Sequence, residues 1–280
     1  FYLKNYTYIY IMKIGVVGYG YVGKAVYNYF NDRHTVIYYD PFIDGSSTKE
    51  EINQCDIAFV CVFTPEKSTG ECDTSIVTEV INWIETPLIC IKSTISIGYT
   101  DMIKKQTGKK VVFSPEYIGE STYDTGYFNF NKNMNNHSFF IFGGDKCDTR
   151  KMVELYTPIS GPTKVYRQTD AKSAEIAKYM ENAFFSLKTV YCHEMDQICK
   201  TMGSDYNEVR ELWLLDPRMG PSHTCVFPNK DAPYDGKCLP KDIAALVYTS
   251  TQNGYRPQFM MDIIDSNERI SDLRRKNKIK

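Results

Sequence analysis

The chain has 280 residues, a formal net charge of -1, 24% charged residues and 42% hydrophobic residues. A chain of this size can bury a sizeable core and has room for two domains, and its balanced charge excludes a general attraction to nucleic acid or to anionic membranes. The nine cysteines include no C-x-x-C pair, which favours a reducing cytoplasm over a disulfide framework. No apolar run approaches the roughly 20 residues that a membrane-spanning helix needs.

The chain begins with an aromatic stretch, residues 1–11, that precedes Met12. This stretch lacks the continuous apolar core and the small-residue cleavage site of a signal peptide. We therefore expect it to be a tail or upstream sequence, with the native start at Met12. An additional edge strand is the alternative.

Residues 12–168 alternate strand patterns with helix patterns. A strand, a glycine-rich turn and a helix are predicted in KIGVVGYGYVGKAVYNYF, and HTVIYYD predicts the next strand. Further strands are predicted in DIAFVCV, PLICIKST, KVVFSPE and SFFIFGGD, with helical segments such as TSIVTEVINWIE and SIGYTDMIKKQTG between them. Strands that alternate with helices pair in parallel, so these residues predict an α/β domain with a doubly wound parallel sheet.

Residues 169–280 change to an all-helical pattern. One long helix is predicted over residues 170–202, with Asp170 as its N-cap and Gly203 as its C-terminal stop. A helix in DYNEVRELWLL follows, and then an irregular segment rich in proline and glycine. Two more helices, over residues 242–252 and 258–276, complete a second domain that the long helix connects to the first.

The stretch GYGYVG places Gly18, Gly20 and Gly23 in the G-x-G-x-x-G spacing, between an apolar strand and a helix. The first glycine permits a tight turn, the second lets the backbone approach a pyrophosphate, and the third lets helix and strand pack closely. Free N–H groups at the helix N-terminus also favour phosphate. We therefore predict a dinucleotide site that includes Tyr21 and Val22, which lie between the second and third glycines.

Polar residues follow three of the predicted strands, where open parallel sheets bind ligands. Asp40 ends the second strand 17 residues after Gly23. Its carboxylate can accept hydrogen bonds from an adenosine ribose and would repel a 2′-phosphate, which favours NAD over NADP. Thr64, Pro65 and Thr94 end later strands and are included in the predicted cofactor site. Each of these residues alone would be an ordinary turn or strand-end residue.

The order of these and later motifs resembles the UDP-glucose/GDP-mannose dehydrogenase family. The resemblance rests on seven stretches in the family's order: GYGYVG, FTP at 63–65, KST at 92–94, SPEYIGE at 114–120, AEIAKYMENAF at 174–184, DPRMG at 216–220 and GKCLPKD at 236–242. It implies a Rossmann-type domain joined through a long helix to a helical domain, with NAD as cofactor. It further implies a nucleotide-sugar substrate and a cytoplasmic homodimer whose core is the long helix.

The resemblance implies that Cys238 is the nucleophile in a four-electron oxidation of a C6 alcohol to a carboxylate with two NAD. Attack of a thiolate on the intermediate aldehyde gives a thiohemiacetal, the second hydride transfer leaves a thioester, and water releases the acid. Lys237 and Lys241 flank the cysteine, and a helix is predicted to open at Asp242. Cations and a helix N-terminus both favour the thiolate.

Further catalytic residues are implied by the same resemblance. Lys178 and Asn182 are four residues apart, hence on one face of the long helix, and match family residues that hold an oxyanion and a water. Asp242 would position or deprotonate water, while Glu116 and Thr94 match residues that handle the hydrolytic water and the protons. Considered singly, these residues are typical of a solvated helix face, a helix cap and a loop acid. The four histidines lack metal-ligand spacing, so no metal is predicted.

The sequence departs from the family pattern in three places. Pro233 and Asp235 of PYDG replace glycines that the family carries before the cysteine, and Gly119 stands near a position where the family has arginine. Family members also continue into a second nucleotide-binding domain, and this sequence stops where that domain would begin. A natural short form and a fragment are both consistent with this.

Two other functions are compatible with the residues. A two-electron dehydrogenase of the hydroxyacid or 6-phosphogluconate type has a similar domain order and uses a helix lysine, but it needs no cysteine and yields one NADH. A non-catalytic remnant that binds NAD and a protein partner is the third possibility. The number of NADH molecules released per product distinguishes the four-electron dehydrogenase from the two-electron dehydrogenase.

Overall fold

The computed structural model describes residues 11–119, 133–227 and 230–278. Within these ranges the chain divides into two compact units: unit 1 comprises residues 11–64, 74–119 and 133–175, and unit 2 comprises residues 65–73, 176–227 and 230–278. Of the predicted tail, Ile11 is exposed and residues 1–10 lie outside the described residues. The domain boundary placed between residues 168 and 169 stays a prediction.

Unit 1 is built on one seven-stranded sheet with the strand order β2-β1-β3-β4-β5-β6-β7. The central strands are short and apolar, and all four residues of β3 are buried, as expected for a strand that is covered on both faces. The strands are β1 Lys13–Val17, β2 Thr35–Tyr39, β3 Ile57–Val60, β4 Ile89–Ile91, β5 Val111–Phe113, β6 Phe139–Gly143 and β7 Val165–Thr169.

The sheet confirms the predicted doubly wound fold, with two differences. Strand β6 pairs antiparallel to β5 through Phe113 and Gly143, whereas all the other pairs are parallel. Strand β7 was not predicted, because VYRQT is a mostly polar strand whose residues are half-buried or exposed. A strand at a sheet edge needs no continuous apolar run, so the hydrophobic pattern gives no signal for it.

Two hydrophobic layers cover the two faces of this sheet. One contains Phe30, Phe142 and Tyr156, and the other contains Ile81 and Ile103, all of them fully buried. The helices that supply these layers are α1 Tyr21–Phe30, α2 Lys49–Ile52, α3 Ser75–Trp83, α4 Tyr99–Thr107 and α5 Lys146–Ser160, together with a 3-10 turn at Met134–Asn136.

After residue 175 the described elements of unit 2 are helices, as the sequence predicts. Helix α6, Ala171–Met202, begins in unit 1 and continues in unit 2 from Ile176. The other helices are α7 Tyr206–Trp213, α8 Leu239–Gln252 and α9 Gln258–Lys278. A core of buried side chains holds α6, α8 and α9 together through Ala183, Val190, Tyr234, Ile243, Ile263 and Ile270.

Helix boundaries in unit 2 differ from the prediction at one functional position. Helix α8 was predicted to open at Asp242, but it begins at Leu239, and Cys238 occupies the N-cap position. Pro240 lies in the first turn, where the missing N–H has no helical partner to lose, so proline does not delay the helix. Asp242 is therefore a first-turn residue and not the cap. None of the described helices combines the length and the apolar character that a membrane span requires.

Candidate active site

The glycine loop of unit 1 follows β1, and at two of its positions a side chain would clash with the backbone, so that glycine is required. Gly18 has φ +88°, its N–H donates to Tyr39 O at 2.9 Å, and a Cβ there would lie 2.8 Å from Cys61 O. A Cβ on Gly23 would lie 2.0 Å from Gly18 O. No atom of the described residues lies within 4 Å of a Cβ built on Gly20. The space at Gly20 is thus open, which is what the approach of a ligand phosphate requires.

Helix α1 begins immediately after this loop, with Gly20 at the N-cap. No side chain in the described part of the chain caps the helix, and its first turn contains no acidic residue. The first N–H groups of a helix, here those of Tyr21, Val22 and Gly23, have no partner within the helix. An uncapped N-terminus next to an open glycine suits a diphosphate.

Asp40 joins the end of β2 to the glycine loop. Its Oδ2 accepts a hydrogen bond from Tyr19 N at 2.9 Å, and its Oδ1 accepts one from Phe42 N at 3.0 Å. The ring of Tyr19 stacks on that of Tyr38, with 3.8 Å between the ring centroids. A carboxylate can accept about four hydrogen bonds, so these two contacts leave capacity for ribose hydroxyls. The sequence predicted Asp40 as a ligand residue but did not reveal that it also fixes the glycine loop.

The remaining predicted cofactor residues of unit 1 follow β3 and β4. Thr64 is buried, Thr94 is half-buried, and Ser93 Oγ donates to Val62 O at 2.6 Å, which ties the ends of the two strands together. Strand β1 lies between β2 and β3, so the order of the chain reverses at this point of the sheet. Ligands of doubly wound sheets bind outside the carboxyl ends of the strands at such a reversal. The glycine loop and Thr64 both lie at those ends.

Glu116, which the resemblance predicts to handle the hydrolytic water and protons, follows β5 in unit 1. Its Oε2 accepts a hydrogen bond from Ile118 N at 2.7 Å. A small cavity of about 10 Å³ is lined by Glu116, Tyr117, His137 and the buried Lys92. In the sequence, Lys92 is distinguished only as the first residue of the KST motif. Glu120, the last residue of the SPEYIGE motif, lies outside the described residues.

In unit 2 the structure brings two of the predicted catalytic residues together. Asn182 Nδ2 donates to Asp242 Oδ2 at 2.6 Å, and Lys241 Nζ donates to Asp242 Oδ1 at 2.5 Å. All three residues are buried. Burial lowers the pKa of Lys241, but the adjoining Asp242 carboxylate, together with Cys72 and Cys238, more than offsets this, so the pKa lies above its ordinary value. The pairing of Asp242 with Lys241 was not predicted from the sequence.

Lys178 lies one turn before Asn182 on α6 and is 5% exposed. Its Nζ is 3.4 Å from Glu181 Oε2, whose side chain is 30% exposed. The two predicted oxyanion donors therefore share one helix face, as their spacing implies. They differ in that Asn182 is held by a buried carboxylate, whereas Lys178 pairs with a partly exposed one.

Cys238 is exposed at the N-cap position of α8. Lys237 beside it is also exposed, and Gly236 has φ +85°. The preceding residues, where the sequence departs from the family, are anchored in the protein: Pro233 and Tyr234 are buried, and Tyr234 N donates to Asn267 Oδ1 at 3.1 Å. Two buried residues and one backbone hydrogen bond thus hold the segment before the cysteine, in which this chain lacks two of the family's glycines.

Pro65, predicted to bind the cofactor, belongs to a segment of unit 2, Pro65–Asp73. Glu66 and Cys72 form an antiparallel bridge within it, and a Cβ on Gly70 would lie 3.6 Å from Ala244 O of helix α8. Burial raises the pKa of Glu66, and nearby Lys241 lowers it in part. The segment therefore packs on the first turns of α8, a contact that no sequence motif indicated.

Within the described ranges 11–119, 133–227 and 230–278, no three His, Cys, Asp or Glu residues form a group that could hold a metal ion. In unit 2, burial lowers the pKa of the buried His193 and of the half-buried His223 to about 4. Neutral buried imidazoles of this kind are typical of packing residues.

Comparisons with known proteins connect this site to a family. Residues 40–160 match the NAD binding domain of the UDP-glucose/GDP-mannose dehydrogenase family, and residues 172–269 match its central domain. The match to the NAD binding domain confirms NAD as the predicted cofactor. Since this match begins at Asp40, the glycine loop is assigned from its own sequence and geometry.

Individual proteins and solved structures are also similar to this chain. The chain is 30% identical over 217 residues to the UDP-glucose 6-dehydrogenase YwqF of Bacillus subtilis, covering 72% of this chain and 46% of the relative. Its fold is similar to that of a UDP-glucose dehydrogenase from Pyrobaculum islandicum, with a TM-score of 0.78, 20% identity and coverage of 94% and 69%. A 3-hydroxyisobutyrate dehydrogenase from Mycobacterium tuberculosis has a TM-score of 0.61 at 17% identity, with coverage of 95% and 93%.

The chain spans about half the length of the curated relatives it matches. The two domain models of one family nevertheless follow each other along most of it, in the order that the motifs predict. The chain belongs to the UDP-glucose/GDP-mannose dehydrogenase family.

Proposed function

We propose that this chain catalyses the NAD-dependent oxidation of the C6 alcohol of a nucleotide sugar, such as a UDP-glucose-like substrate, to the carboxylate. The observation that carries the proposal is the hydrogen bond between Asn182 and Asp242. It joins the predicted oxyanion face of α6 to the first turn of α8, which follows Cys238 directly. Motifs of the family that lie far apart in the sequence thereby meet within unit 2, as a shared chemical task would require.

In this proposal each NAD, when bound, accepts one hydride from the sugar carbon. Cys238 adds as a thiolate to the aldehyde carbon, its sulfur forming a thiohemiacetal, and the second oxidation leaves a thioester. Water then attacks the thioester carbonyl, and the carbon–sulfur bond breaks to release the carboxylate and the thiol. The position of Cys238 at a helix N-terminus supports this role, because the positive end of the helix dipole stabilises a thiolate.

Lys178 and Asn182 are proposed to stabilise the negative oxygen of the tetrahedral intermediates. Donors that are fixed before the reaction lose no reorganisation energy when charge develops. Asn182 meets this condition because its amide donates to Asp242, and its second amide hydrogen is proposed to bind the substrate oxygen. Asp242 is proposed to position water, while Glu116 and Thr94 are proposed to handle the hydrolytic water and its protons.

A homodimer is proposed as the functional assembly. Exposed apolar side chains recur on α6 at intervals of four or seven residues, which keeps them in one stripe along the helix. The stripe consists of Ile176, Met180, Phe184, Tyr191, Ile198 and Met202, each between 43% and 78% exposed. A continuous apolar stripe on a long helix is typical of a surface that packs against another helix.

The deciding experiment is a screen for NADH release with UDP- and GDP-sugars, using the parent chain, Cys238→Ala and the control Cys147→Ser, which alters an exposed cysteine outside the site. We expect two NADH per acid formed by the parent and by the control, and no acid from Cys238→Ala. One NADH per product, unaffected by Cys238→Ala, would select the two-electron hydroxyacid type. We retain this second candidate because the chain is similar in fold and length to the 3-hydroxyisobutyrate dehydrogenase.

Binding of NAD without NADH release from any sugar would instead select the non-catalytic remnant. Calorimetry of NAD and of nucleotide sugars separates these outcomes. A parent chain that binds NAD and releases no NADH from any nucleotide sugar would overturn the proposed activity while leaving the family assignment intact.

A further inference from the structure

Lys92 is a buried cation in unit 1 that the proposed chemistry does not use. It follows β4 and is 4% exposed. A buried ammonium group is costly unless its hydrogen-bonding capacity is used, and such groups concentrate at functional sites. Its surroundings therefore indicate what its charge is used for.

Two hydrogen bonds of Lys92 reach the loop after β5. Its Nζ donates to Ser114 Oγ at 3.2 Å and to Pro115 O at 3.1 Å. Ser114 is 1% exposed, and its N–H donates to Ile91 O at 2.9 Å. The ammonium thus binds the two residues that immediately precede Glu116 in the sequence.

Glu116 lies next to this anchor and is held on its other side as well. Its carboxylate accepts the Ile118 N–H at 2.7 Å, and the ring of Tyr117 packs edge-on against Phe139 with 4.9 Å between centroids. Lys92 and Glu116 both line the cavity of about 10 Å³, which matches the space of about one water molecule.

Nearby thiols do not neutralise this cation. Burial raises the pKa of Cys61 and of Cys90, and Lys92 only partly opposes the shift. Both thiols therefore stay protonated at neutral pH. Neither thiol is therefore a counter-ion of Lys92.

We infer that Lys92 is a positioning residue: its ammonium holds the Ser114 hydroxyl and the Pro115 carbonyl, so that the Glu116 carboxylate stays at the wall of a chamber that fits one water. The inference rests on the proposed function, in which Glu116 handles the hydrolytic water. Lys92 itself touches no reacting atom in this scheme. Loss of Lys92 releases the loop, and the carboxylate then loses its fixed place.

The first test needs no catalysis. Lys92→Met removes the charge at similar size, and we expect hydrogen exchange of the Ile118 amide to accelerate about tenfold, the effect of one or two lost hydrogen bonds. Lys109→Met is the matched control, since Lys109 Nζ likewise donates to carbonyl oxygens of unit 1, those of Ile81, Asn82 and Ile84. The control should accelerate exchange around those residues and leave Ile118 unchanged.

Exchange at Ile118 within about twofold of the parent in Lys92→Met would overturn the inference, because a single lost hydrogen bond already exceeds that change. If Lys92→Met does not fold, Ser114→Ala removes one of the two acceptors and should give a smaller acceleration at Ile118. No acceleration in Ser114→Ala would then count against the positioning role.

The second test follows thioester hydrolysis by the intact mass of the enzyme. We expect Lys92→Met to accumulate acylated Cys238 and to hydrolyse it about tenfold more slowly, with Lys109→Met unaffected. The double variant Lys92→Met/Glu116→Gln should hydrolyse no more slowly than Glu116→Gln alone, since both changes remove one function. Additive losses would contradict action through Glu116. If the parent oxidises no nucleotide sugar, the proposed function fails, and the exchange test still decides the role of Lys92.

Discussion

The side-chain amide of Asn182 donates a hydrogen bond of 2.6 Å to the carboxylate of Asp242, from the middle of α6 to the first turn of α8. The other oxygen of Asp242 accepts from Lys241, which is also buried. The carboxylate therefore balances a buried cation and orients a buried amide at once. Stability and the proposed catalysis depend on the same group.

Removal of the charge of Asp242 should destabilise unit 2. In Asp242→Asn the ammonium of Lys241 stays buried without its counter-charge, and we expect the free energy of unfolding to fall by about 3 kcal/mol. Asp235→Asn is the matched control: its carboxylate pairs with Lys230 with side chains 52% and 41% exposed, and should change stability by less than about 0.5 kcal/mol. Denaturant titration measures both. Equal effects would show that the buried pair contributes no more than a surface pair.

Replacement of Cys238 by serine should separate the two oxidations. A serine hydroxyl is a far weaker nucleophile than a thiolate at neutral pH, so we expect no acid product from Cys238→Ser while the first oxidation persists. Product analysis by mass spectrometry, combined with NADH counting, measures this. An acid yield equal to that of the parent would exclude the thioester route.

The two glycines of the cofactor loop should respond differently to alanine. A Cβ at Gly20 meets no atom of the described residues within 4 Å, so Gly20→Ala should keep the free energy of unfolding within about 0.5 kcal/mol but weaken NAD binding about tenfold or more. A Cβ at Gly23 would lie 2.0 Å from Gly18 O, so Gly23→Ala should lower stability as well. Calorimetry and thermal unfolding together separate the effects. NAD affinity unchanged in Gly20→Ala would argue against phosphate binding at this loop.

The buried His193 should make the protein sensitive to acid. Its Nδ1 lies 2.8 Å from Thr189 O, its Nε2 has no hydrogen-bond partner within the described part of the chain, and burial lowers its pKa to about 4. The unfolded chain therefore takes up a proton below about pH 6.5 that the folded chain does not, and stability falls as the pH falls from about 6.5 to 4. The full contribution is up to about 3 kcal/mol, from a shift of about 2.5 pKa units at 1.36 kcal/mol each.

His193→Leu removes this group without adding a polar one, so the variant should lose less stability than the parent between pH 6.5 and pH 4. Denaturant titrations at a series of pH values test this. Parallel curves for parent and variant would mean that His193 is protonated equally in the folded and unfolded chains.

The exposed stripe of α6 should control assembly. Charged substitution of two neighbouring stripe residues, Met180→Glu/Phe184→Glu, should convert a dimer into a monomer of about 32.3 kDa, because a packed apolar face does not tolerate unpaired carboxylates. The control Tyr255→Glu changes a side chain that is 70% exposed elsewhere in unit 2. Light scattering after size exclusion gives the mass. A parent chain that is already monomeric at micromolar concentration would contradict the proposed dimer.

The elements that the sequence predicted are those in which local pattern and tertiary environment agree. The apolar runs of β1 and β3, the glycine spacing and the long periodic helix α6 follow from side-chain periodicity and backbone sterics, which act over a few residues. The order of the family's motifs along the chain was likewise enough to make Cys238, Asn182 and Asp242 candidates. These signals need no knowledge of which segments meet.

Tertiary structure decided what depends on distant contacts. The direction of β6 and the existence of β7 depend on neighbouring strands, because edge pairing satisfies backbone groups without a continuous apolar run. The same holds for the buried charges: KST and KCLPKD do not show that Lys92 reaches Ser114 or that Lys241 and Asn182 share Asp242. A buried charge needs a partner, and only the folded chain determines which segment, often tens of residues away, supplies it.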